Sequence, residues 1–573
     1  MAQIIVERHV PIKMRDGTIL RGDVYRPAEG GPFPILLSRL PYNKSHAWVA
    51  ASVILNPLNA TDRGYAVVIQ DCRGRFKSDG EWVPFHEDED GYDTVEWCAQ
   101  QPWANSKVGM YGSSYLGITA WQAIVANPPH LETAFIYLAP TNYHEGMIYT
   151  GGAFELGFCQ WYAQYLSWNK VRRLPPERQT IARQRLIELA SNPRAAHWHL
   201  PLDGIAAHQD VAQFYNDWLA HPNYDEYWQA VNVEEKLDKV TVPVLQMTGW
   251  FDNLLIGHLR SFKGIRDKGA TEKARENQKL IVGPWTHENY VSMTMSKVGD
   301  FELGPAAVPN TEALALRWFD YWLKGMNTGI MDEAPIRIFV TGANVWRDEW
   351  DWPLERAKET KLYLHSQGHA NTLHGDGILL SVPANSEPSD TYVYDPAKPV
   401  PTVGGRALMF GAVSPGFYDQ REVEERSDVL VYTSSLLMKD TEVTGPIFLK
   451  LWAASSALDT DFTAKLVDVH PDGYAAILAD GIMRARYRES SSHPKLLEPE
   501  QIYELTIDLW AISHVFKTGH RIRVEVSSSN FPRFDRNLNT GSENASEVQT
   551  QIAAQTIYHD AKHPSHILLP IVE

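Results

Sequence analysis

Residues 107–117, which read KVGMYGSSYLG, constrain the fold of this chain more than any other stretch. Residues 108–111 form an apolar run short enough for a buried strand, and from Tyr115 onward apolar side chains recur at helical spacing among helix-forming residues. A serine held between such a strand and a helix is typical of the nucleophile elbow, a strained turn that exposes the hydroxyl above a sheet. The stretch therefore predicts an α/β fold with Ser114 as a catalytic nucleophile.

Two features of this stretch leave alternatives open. Gly112 stands two residues before Ser114, but the common GxSxG pattern would put the second glycine at the position of Leu116, and here Gly117 follows one residue later. Ser113 is the rival nucleophile, although it lacks a glycine two residues before it. Taken alone, the stretch also fits a strand-to-helix turn without any chemistry.

Length, charge and cysteine content limit the class of protein. A chain of 573 residues is too long for one hydrophobic core. Its net charge of −17 argues against nucleic acid or an anionic membrane as a partner, because both would repel it. Three unclustered cysteines indicate a reducing compartment and offer neither a disulfide framework nor a zinc site. With no signal-like start and no run of about 18 apolar residues, the sequence predicts a cytoplasmic protein.

Apolar patterning divides the chain into four segments. Over residues 1–140, short buried-strand runs alternate with helical patterns, which is typical of an α/β core with a mainly parallel sheet. Residues 141–240 are helical and rich in aromatic residues, which predicts an inserted cap, and the α/β pattern resumes over residues 241–352. Residues 353–573 consist of short alternating runs and turn residues, which predict an all-β sandwich of jelly-roll type by overall resemblance.

Two further residues follow later strand-like runs in the chain order expected of a serine hydrolase. A nucleophilic serine needs a base and an acid, which on an open α/β sheet follow strand ends in the order serine, acid, histidine. Asp252 lies within GWFDN and His287 within GPWTH, each just after an apolar run. Taken singly, Asp252 could cap the helix that follows, and His287 could be an ordinary surface histidine. Their joint placement predicts a triad with Ser114.

Other clusters of titratable residues predict no metal or cofactor. The acidic stretch at residues 86–91 lacks the spacing of an EF-hand and fits the charged start of a helix. Two histidine pairs lack a third ligand: His197 with His199, and His369 with His374. Because the sequence has no GxGxxG motif or phosphate-binding loop, a nucleotide cofactor is not expected.

Eight motifs along the chain resemble those of the bacterial cocaine esterase family, which includes the α-amino acid ester hydrolases and is related to X-prolyl dipeptidyl aminopeptidases. The motifs are DGxxLxxDxYRP (16–27), LPY (40–42), QDCRGRFKSDGEW (70–82), VGMYGSSYLG (108–117), GWFD (249–252), VGPWTH (282–287), DTDFTAKLVDVHPDG (459–473) and VSSSNFPRFDRN (526–537). The resemblance spans nearly the whole chain. It implies an α/β-hydrolase core with a helical cap insertion and a C-terminal all-β, jelly-roll-like domain.

The resemblance also assigns roles to individual residues. It implies Ser114 as nucleophile, Asp252 and His287 as its partners, and no cofactor. The oxyanion hole would be formed by the hydroxyl of Tyr42 and the backbone amide of Tyr115. Without the resemblance, Tyr42 would be interpreted as a strand-end tyrosine packed on the core.

Substrate preference is inferred from a difference between this sequence and the α-amino acid ester hydrolases of the family. The α-amino acid ester hydrolases carry acids just after the triad aspartate, which hold the substrate ammonium group, whereas here Asp252 is followed by residues 253–255, Asn-Leu-Leu. The resemblance therefore implies a neutral or aromatic acyl group. It also implies an acyl pocket lined by Trp161, Leu254 and Phe410.

The sequence thus predicts a serine carboxylesterase that hydrolyses small-molecule esters through an acyl-enzyme, with no nucleic acid or membrane partner. An amide hydrolase or acyltransferase using the same triad, of the β-lactam acylase or X-prolyl aminopeptidase type, remains an alternative. A third interpretation is a non-catalytic binding protein that acts through its β-rich part. The family resemblance favours a homodimer, although no spacing argument decides the oligomeric state.

Overall fold

The structure, a computed structural model, describes residues 3–46, 54–292 and 295–573. The strands of its N-terminal part are β1 (Ile4–Lys13), β2 (Ile19–Pro27), β3 (Phe33–Leu40), β4 (Ala66–Asp71), β5 (Ala104–Ser113), β6 (Leu131–Tyr137), β7 (Tyr149–Thr150), β8 (Ala153–Phe154), β9 (Val244–Phe251), β10 (Lys279–Thr286), β11 (Lys297–Val298), β12 (Phe301–Glu302), β13 (Ile336–Val340) and β14 (Val345–Glu349).

Ten of these strands form one sheet, the core sheet, in the order β1–β2–β4–β3–β5–β6–β9–β10–β13–β14. Neighbours from β4 to β13 are parallel, while β1, β2 and β14 pair antiparallel at the two edges. Every residue of β3 and of β4 is buried, as expected for parallel strands covered by helices on both faces. The predicted α/β core with a mainly parallel sheet is confirmed.

The helices of the same part flank the core sheet or follow β8. They are α1 (Pro57–Asp62), α2 (Asp88–Ala99), α3 (Tyr115–Ala126), α4 (Leu156–Val171), α5 (Pro176–Ser191), α6 (Pro193–Trp198), α7 (Gln213–Ala220), α8 (Glu226–Val231), α9 (Leu255–Lys268), α10 (Glu272–Glu276), α11 (His287–Ser292) and α12 (Thr311–Lys324). The stretch SVILNPLNATD (52–62), between two strand-like runs, predicts a crossover helix. The structure has α1 there, between β3 and β4, and residues 52 and 53 lie outside the described residues. Across the described ranges, no helix combines the length and apolar character needed to cross a membrane.

Between β6 and β9 the chain forms helices α4–α8, called the cap helices below, in agreement with the helical pattern of that segment. The segment also contains a short hairpin that the sequence analysis did not predict, in which Tyr149 pairs with Phe154. Its turn holds Gly151 and Gly152, both at positive φ, a conformation that glycine adopts without steric cost. This Gly-Gly pair was the available turn signal.

The C-terminal part is almost entirely β-structure and is called the β-domain below. It consists of β15 (Ala357–His365), β16 (Ile378–Leu380), β17 (Asp390–Tyr394), β18 (Leu430–Thr433), β19 (Thr441–Ser455), β20 (Asp461–Val469), β21 (Ala475–Arg484), β22 (Tyr503–Phe516), β23 (Arg521–Ser527), β24 (Ala553–Tyr558) and β25 (His566–Val572), with one short helix, α13 (Arg421–Glu424). These strands belong to a single 11-stranded hydrogen-bonded network. The all-β prediction is confirmed, while the jelly-roll type and the segment boundaries stay predictions.

The β-domain packs against the core sheet beside the end of β9. Phe251 of β9 contacts Phe417, with ring centroids 4.4 Å apart. The fully buried Arg406 donates a hydrogen bond of 2.9 Å to the carbonyl of Trp250, also in β9. The strand end that carries Asp252 is therefore held at the junction of the two parts.

Candidate active site

The turn between β5 and α3 holds Ser114 in a strained backbone conformation, with φ 55° and ψ −125°. Such values are uncommon for a residue with a side chain and are typical of the nucleophile elbow. A Cβ on Gly112 would lie 2.3 Å from the backbone of Leu116, and one on Gly117 would lie 2.5 Å from the Cβ of Ala139. The second glycine is therefore required at position 117, where α3 packs on the end of β6, which accounts for the departure from GxSxG.

Asp252 and His287 are brought together from the ends of β9 and β10. His287 Nδ1 lies 2.9 Å from Asp252 Oδ1, and the Asp252 side chain is fully buried. The same carboxylate accepts hydrogen bonds from the amide of Leu254 at 3.2 Å and from the hydroxyl of Thr248 at 3.4 Å. The Asp252 carboxylate is thus held in place by three hydrogen bonds. A neutral His287 that donates from Nδ1 keeps the Nε2 lone pair for a substrate or nucleophile proton.

Ser114 and His287 line the same cavity, which has a volume of about 370 Å³. Ser113 also reaches its wall, so the cavity alone does not separate the two serines. Of the two, Ser114 has the strained conformation, and its amide and carbonyl are fixed by hydrogen bonds to Tyr137 and to the first turn of α3. The local geometry therefore favours Ser114.

Tyr42, just after β3, reaches the same cavity. Its hydroxyl lies 2.9 Å from the hydroxyl of Tyr162 on α4 and also hydrogen-bonds the side chain of Ser114. Burial raises the pKa of Tyr42, and the bonds to Tyr162 and Ser114 offset only part of that effect. Tyr42 therefore remains a protonated hydrogen-bond donor next to the serine. Tyr115 lines the cavity too, and its backbone amide follows Ser114 directly.

The three residues expected in an acyl pocket all line this cavity. Trp161 of α4 and Phe410 of the β-domain have ring centroids 4.7 Å apart, and Leu254 lines the same cavity. Other lining residues, which were not predicted from the sequence, come from the cap helices, the β-domain and the segment before β7: Met147, Phe158, Tyr162, Tyr165 and Leu408. Four aromatic residues of α4 line the cavity and recur at helical spacing: Phe158, Trp161, Tyr162 and Tyr165. The aromatic face of this helix could therefore have been recognised from the sequence.

The cavity is predominantly apolar. No aspartate, glutamate, lysine or arginine is among the described residues that line it. Its polar groups are the two serines, His46, His287 and the tyrosine hydroxyls. A charged substrate group would therefore lose its hydration without a compensating ion pair, which is costly.

The residues set aside in the sequence analysis have other roles. Glu87, within the acidic stretch, is buried and forms an ion pair of 3.1 Å with Arg39, and α2 starts at the next residue. His197 is buried in α6, where burial lowers its pKa to about 4.

Comparison with known proteins agrees with this architecture. Residues 16–289 match the X-Pro dipeptidyl-peptidase (S15 family), and residues 328–568 match the X-Pro dipeptidyl-peptidase C-terminal non-catalytic domain. Cocaine esterase of Rhodococcus sp. (strain MB1 Bresler) is 40% identical over 582 residues, which cover 99% of each chain. A putative serine esterase of Mycobacterium tuberculosis is 24% identical and covers 98% of this chain and 95% of its own.

Solved structures that are similar over the whole chain include two enzymes of this type. An α-amino acid ester hydrolase has a TM-score of 0.82 at 26% identity, covering 100% of this chain and 97% of its own. An aminopeptidase from a marine sediment Thaumarchaeota archaeon has a TM-score of 0.83 at 25% identity with the same coverage. The predicted resemblance is confirmed: the chain belongs to the bacterial cocaine esterase family and is a serine hydrolase that acts on esters.

Proposed function

We propose that Ser114, His287 and Asp252 form the catalytic triad of a carboxylesterase. The observation that carries the proposal is the 2.9 Å contact between His287 Nδ1 and Asp252 Oδ1, at the wall of the cavity that also holds the strained Ser114. Ser114 Oγ attacks the ester carbonyl carbon while His287 Nε2 takes the hydroxyl proton. Asp252 orients the imidazole and stabilises its charged form.

The tetrahedral intermediate then collapses and expels the alcohol, which takes the proton from His287. A water molecule, activated by the same imidazole, attacks the acyl-enzyme and releases the carboxylic acid. The negative oxygen of both intermediates is stabilised by the Tyr42 hydroxyl and the Tyr115 amide. The hydrogen bond between Tyr42 and Ser114 supports this role, because it positions the phenol next to the reacting atoms.

The decisive test compares the two neighbouring serines. Ser114→Ala is expected to lower turnover of an activated aryl ester by at least about 10⁴-fold, because no other group replaces the nucleophile. Ser113→Ala is the matched control and should retain most activity. A fluorophosphonate probe should label wild type and Ser113→Ala but not Ser114→Ala. Near-normal turnover by Ser114→Ala would contradict the proposal, and absence of any label on wild type would favour a binding protein.

We propose that the acyl group of the substrate is neutral and is often aromatic, held by Trp161, Leu254 and Phe410. The uncharged, aromatic lining supports this. The methyl esters of phenylacetic acid and phenylglycine differ by one amino group, so they form a matched pair that differs by one positive charge when the pH of the assay lies below the pKa of that amine. We expect kcat/KM to be at least about tenfold higher for the phenylacetate, since the ammonium group would be desolvated without a partner. Equal values, or a preference for phenylglycine, would reject this selectivity.

Amide hydrolysis or acyl transfer on the same triad is a second candidate, favoured by the similarity to the aminopeptidase and the S15 family. A phenylacetyl 4-nitrophenyl ester and the matched 4-nitroanilide separate the activities. An esterase hydrolyses only the ester efficiently, whereas an amidase turns over both. The Rhodococcus relative is called cocaine esterase, so cocaine should be included in the same set of test substrates.

We also propose a cytoplasmic location and a homodimer. Cys72, Cys98 and Cys159 are all unpaired and buried, which supports a reducing compartment. The dimer is supported by the family resemblance alone. Light scattering during size-exclusion chromatography would test it, since one chain has a mass of 64.8 kDa.

A further inference from the structure

Three histidines surround the buried carboxylate of Asp468 in the β-domain. His520 Nδ1 lies 2.8 and 3.0 Å from its two oxygens, and His514 Nε2 lies 3.1 Å from Oδ2. His470 Nε2 lies 3.6 Å from the same oxygen. We propose that Asp468, His470 and His520 bind one divalent first-row transition metal ion, such as Zn²⁺. These three residues each offer a ligand atom within 4.8 Å of the others, the one such group found among the described residues.

Strand pairing brings these ligands together from two distant motifs. Asp468 lies near the end of β20, His470 follows that strand, and His520 directly precedes β23. Because β20 and β23 are antiparallel, with Val469 opposite Arg521, the turn after one strand meets the start of the other. His520 is distant in sequence from the other two ligands, so local spacing does not predict the site.

The ligand set and its spacing suit a tetrahedral ion. Zinc bonds of about 2.0–2.2 Å to nitrogen and oxygen put neighbouring ligand atoms about 3.4 Å apart. The distances from Asp468 oxygens to the two histidines are 2.8, 3.0 and 3.6 Å, so small side-chain shifts would reach that geometry. The rings of His470 and His520 lie 4.4 Å apart. Two imidazoles and one carboxylate favour Zn²⁺, Co²⁺, Ni²⁺ or Cu²⁺ over Mg²⁺ or Ca²⁺.

The His470 ring packs against Phe301 and Tyr474, and its nitrogens are available as ligands. Its side chain makes no hydrogen bond to any residue in the described ranges, since 3.6 Å is too long for one. Its side chain is 24% exposed, which gives an ion access from solvent.

His514 holds the Asp468 carboxylate from the side of the core sheet. Its Nε2 lies 3.1 Å from Asp468 Oδ2, and its Nδ1 lies 2.9 Å from the hydroxyl of Thr341. The carboxylate is therefore oriented by His514, while His470 and His520 face it as the two candidate histidine ligands.

A bound ion would stabilise the junction between the two parts of the molecule. Thr341 directly follows β13 of the core sheet and bridges to His514. The hydroxyl of Tyr474, in the loop after His470, donates to Asp300 at 2.8 Å, which precedes β12. An ion that ties this loop to β23 would therefore restrain both contacts. Because the site needs the folded strands, binding raises the unfolding temperature.

The test uses the untagged full-length protein, stripped with EDTA and titrated with ZnCl₂ by calorimetry. We expect wild type to bind with the stoichiometry of this site, one ion per chain, and to show a higher unfolding temperature with Zn²⁺. His470→Ala should lose both effects. The matched control is His563→Ala, because His563 also faces a single carboxylate, Asp560, at 3.2 Å and is 23% exposed. This variant should behave as wild type.

Each remaining outcome rejects the site. If wild type binds no Zn²⁺, the cluster around Asp468 is a hydrogen-bond network without a metal. If His470→Ala binds as tightly as wild type, the ion lies elsewhere, and an equal loss in both variants indicates non-specific binding. Ester hydrolysis, followed in the same samples, should be unchanged in His470→Ala, which shows that it is folded. It also keeps this result separate from the fate of the triad proposal.

Discussion

At the scale of single residues, the contact between Tyr42 and Tyr162 links the cap helices to the proposed oxyanion hole. Tyr162 has no part in the proposed chemistry, yet its hydroxyl lies 2.9 Å from that of Tyr42. It therefore acts as a positioning residue. The sequence could not reveal the pair, because the two tyrosines are 120 positions apart and each alone fits a packed aromatic.

We predict that Tyr42→Phe lowers kcat by about a hundred- to a thousandfold, the usual cost of one oxyanion donor. Tyr162→Phe should lower kcat by about tenfold with little change in KM, since it removes only the group that fixes Tyr42. The double variant should be no slower than Tyr42→Phe, because the two act on one step. Tyr165→Phe, in the same cavity, is the control. Additive losses would show that Tyr162 acts independently of Tyr42.

Glu288, the residue after His287, makes the site sensitive to pH. Burial raises the pKa of Glu288 to about 7, while the charge of His287 and a hydrogen bond from the Met409 amide act in the opposite direction. Above that pH the ionised carboxylate lies next to the imidazole and stabilises the positive charge that His287 gains in the transition state, so kcat/KM should rise as pH increases through about 7. Glu288→Gln, which cannot ionise, should lose this rise. Exposed Glu302, replaced by Gln, is the control, and a rise that persists in Glu288→Gln would show that Glu288 does not influence the reaction.

At the scale of elements, the β5–α3 turn was predictable because local sequence determines it. A buried strand, a serine and small residues can be recognised within eleven positions, and the strand-end positions of Asp252 and His287 follow from the same pattern. The face of α4 that lines the cavity was not predictable, since Phe158 and Tyr162 are compatible with any apolar contact. The cluster around Asp468 was equally hidden, because only the antiparallel register of β20 and β23 brings its ligands together.

At the scale of the whole molecule, the cavity is built from three parts of the chain. The core sheet supplies Ser114 and His287, the cap helices supply Trp161, and the β-domain supplies Leu408 and Phe410. The sequence identified each part by its pattern of apolar residues. How the parts meet depends on contacts between residues hundreds of positions apart, for which local patterns carry no signal.

Arg406 connects the core sheet to the β-domain. Its guanidinium is fully buried and donates to the carbonyl of Trp250 in the core sheet at 2.9 Å. It also donates to the carbonyls of Leu509 and Ala511 in β22, at 2.9 and 2.8 Å. One side chain thus connects the strand before Asp252 to the β-domain.

We predict that Arg406→Ala destabilises the protein by about 3–5 kcal/mol, because it removes a buried donor to four backbone carbonyls and opens a cavity. Arg421→Ala, which removes an exposed ion pair with Asp419, should cost less than about 1 kcal/mol. Urea unfolding followed by tryptophan fluorescence measures both. Phe410, four residues after Arg406, lines the cavity. The Arg406→Ala variant should therefore lose ester hydrolysis at a lower urea concentration than the one that unfolds the whole protein. Equal midpoints for the two variants would show that the parts dock without this side chain.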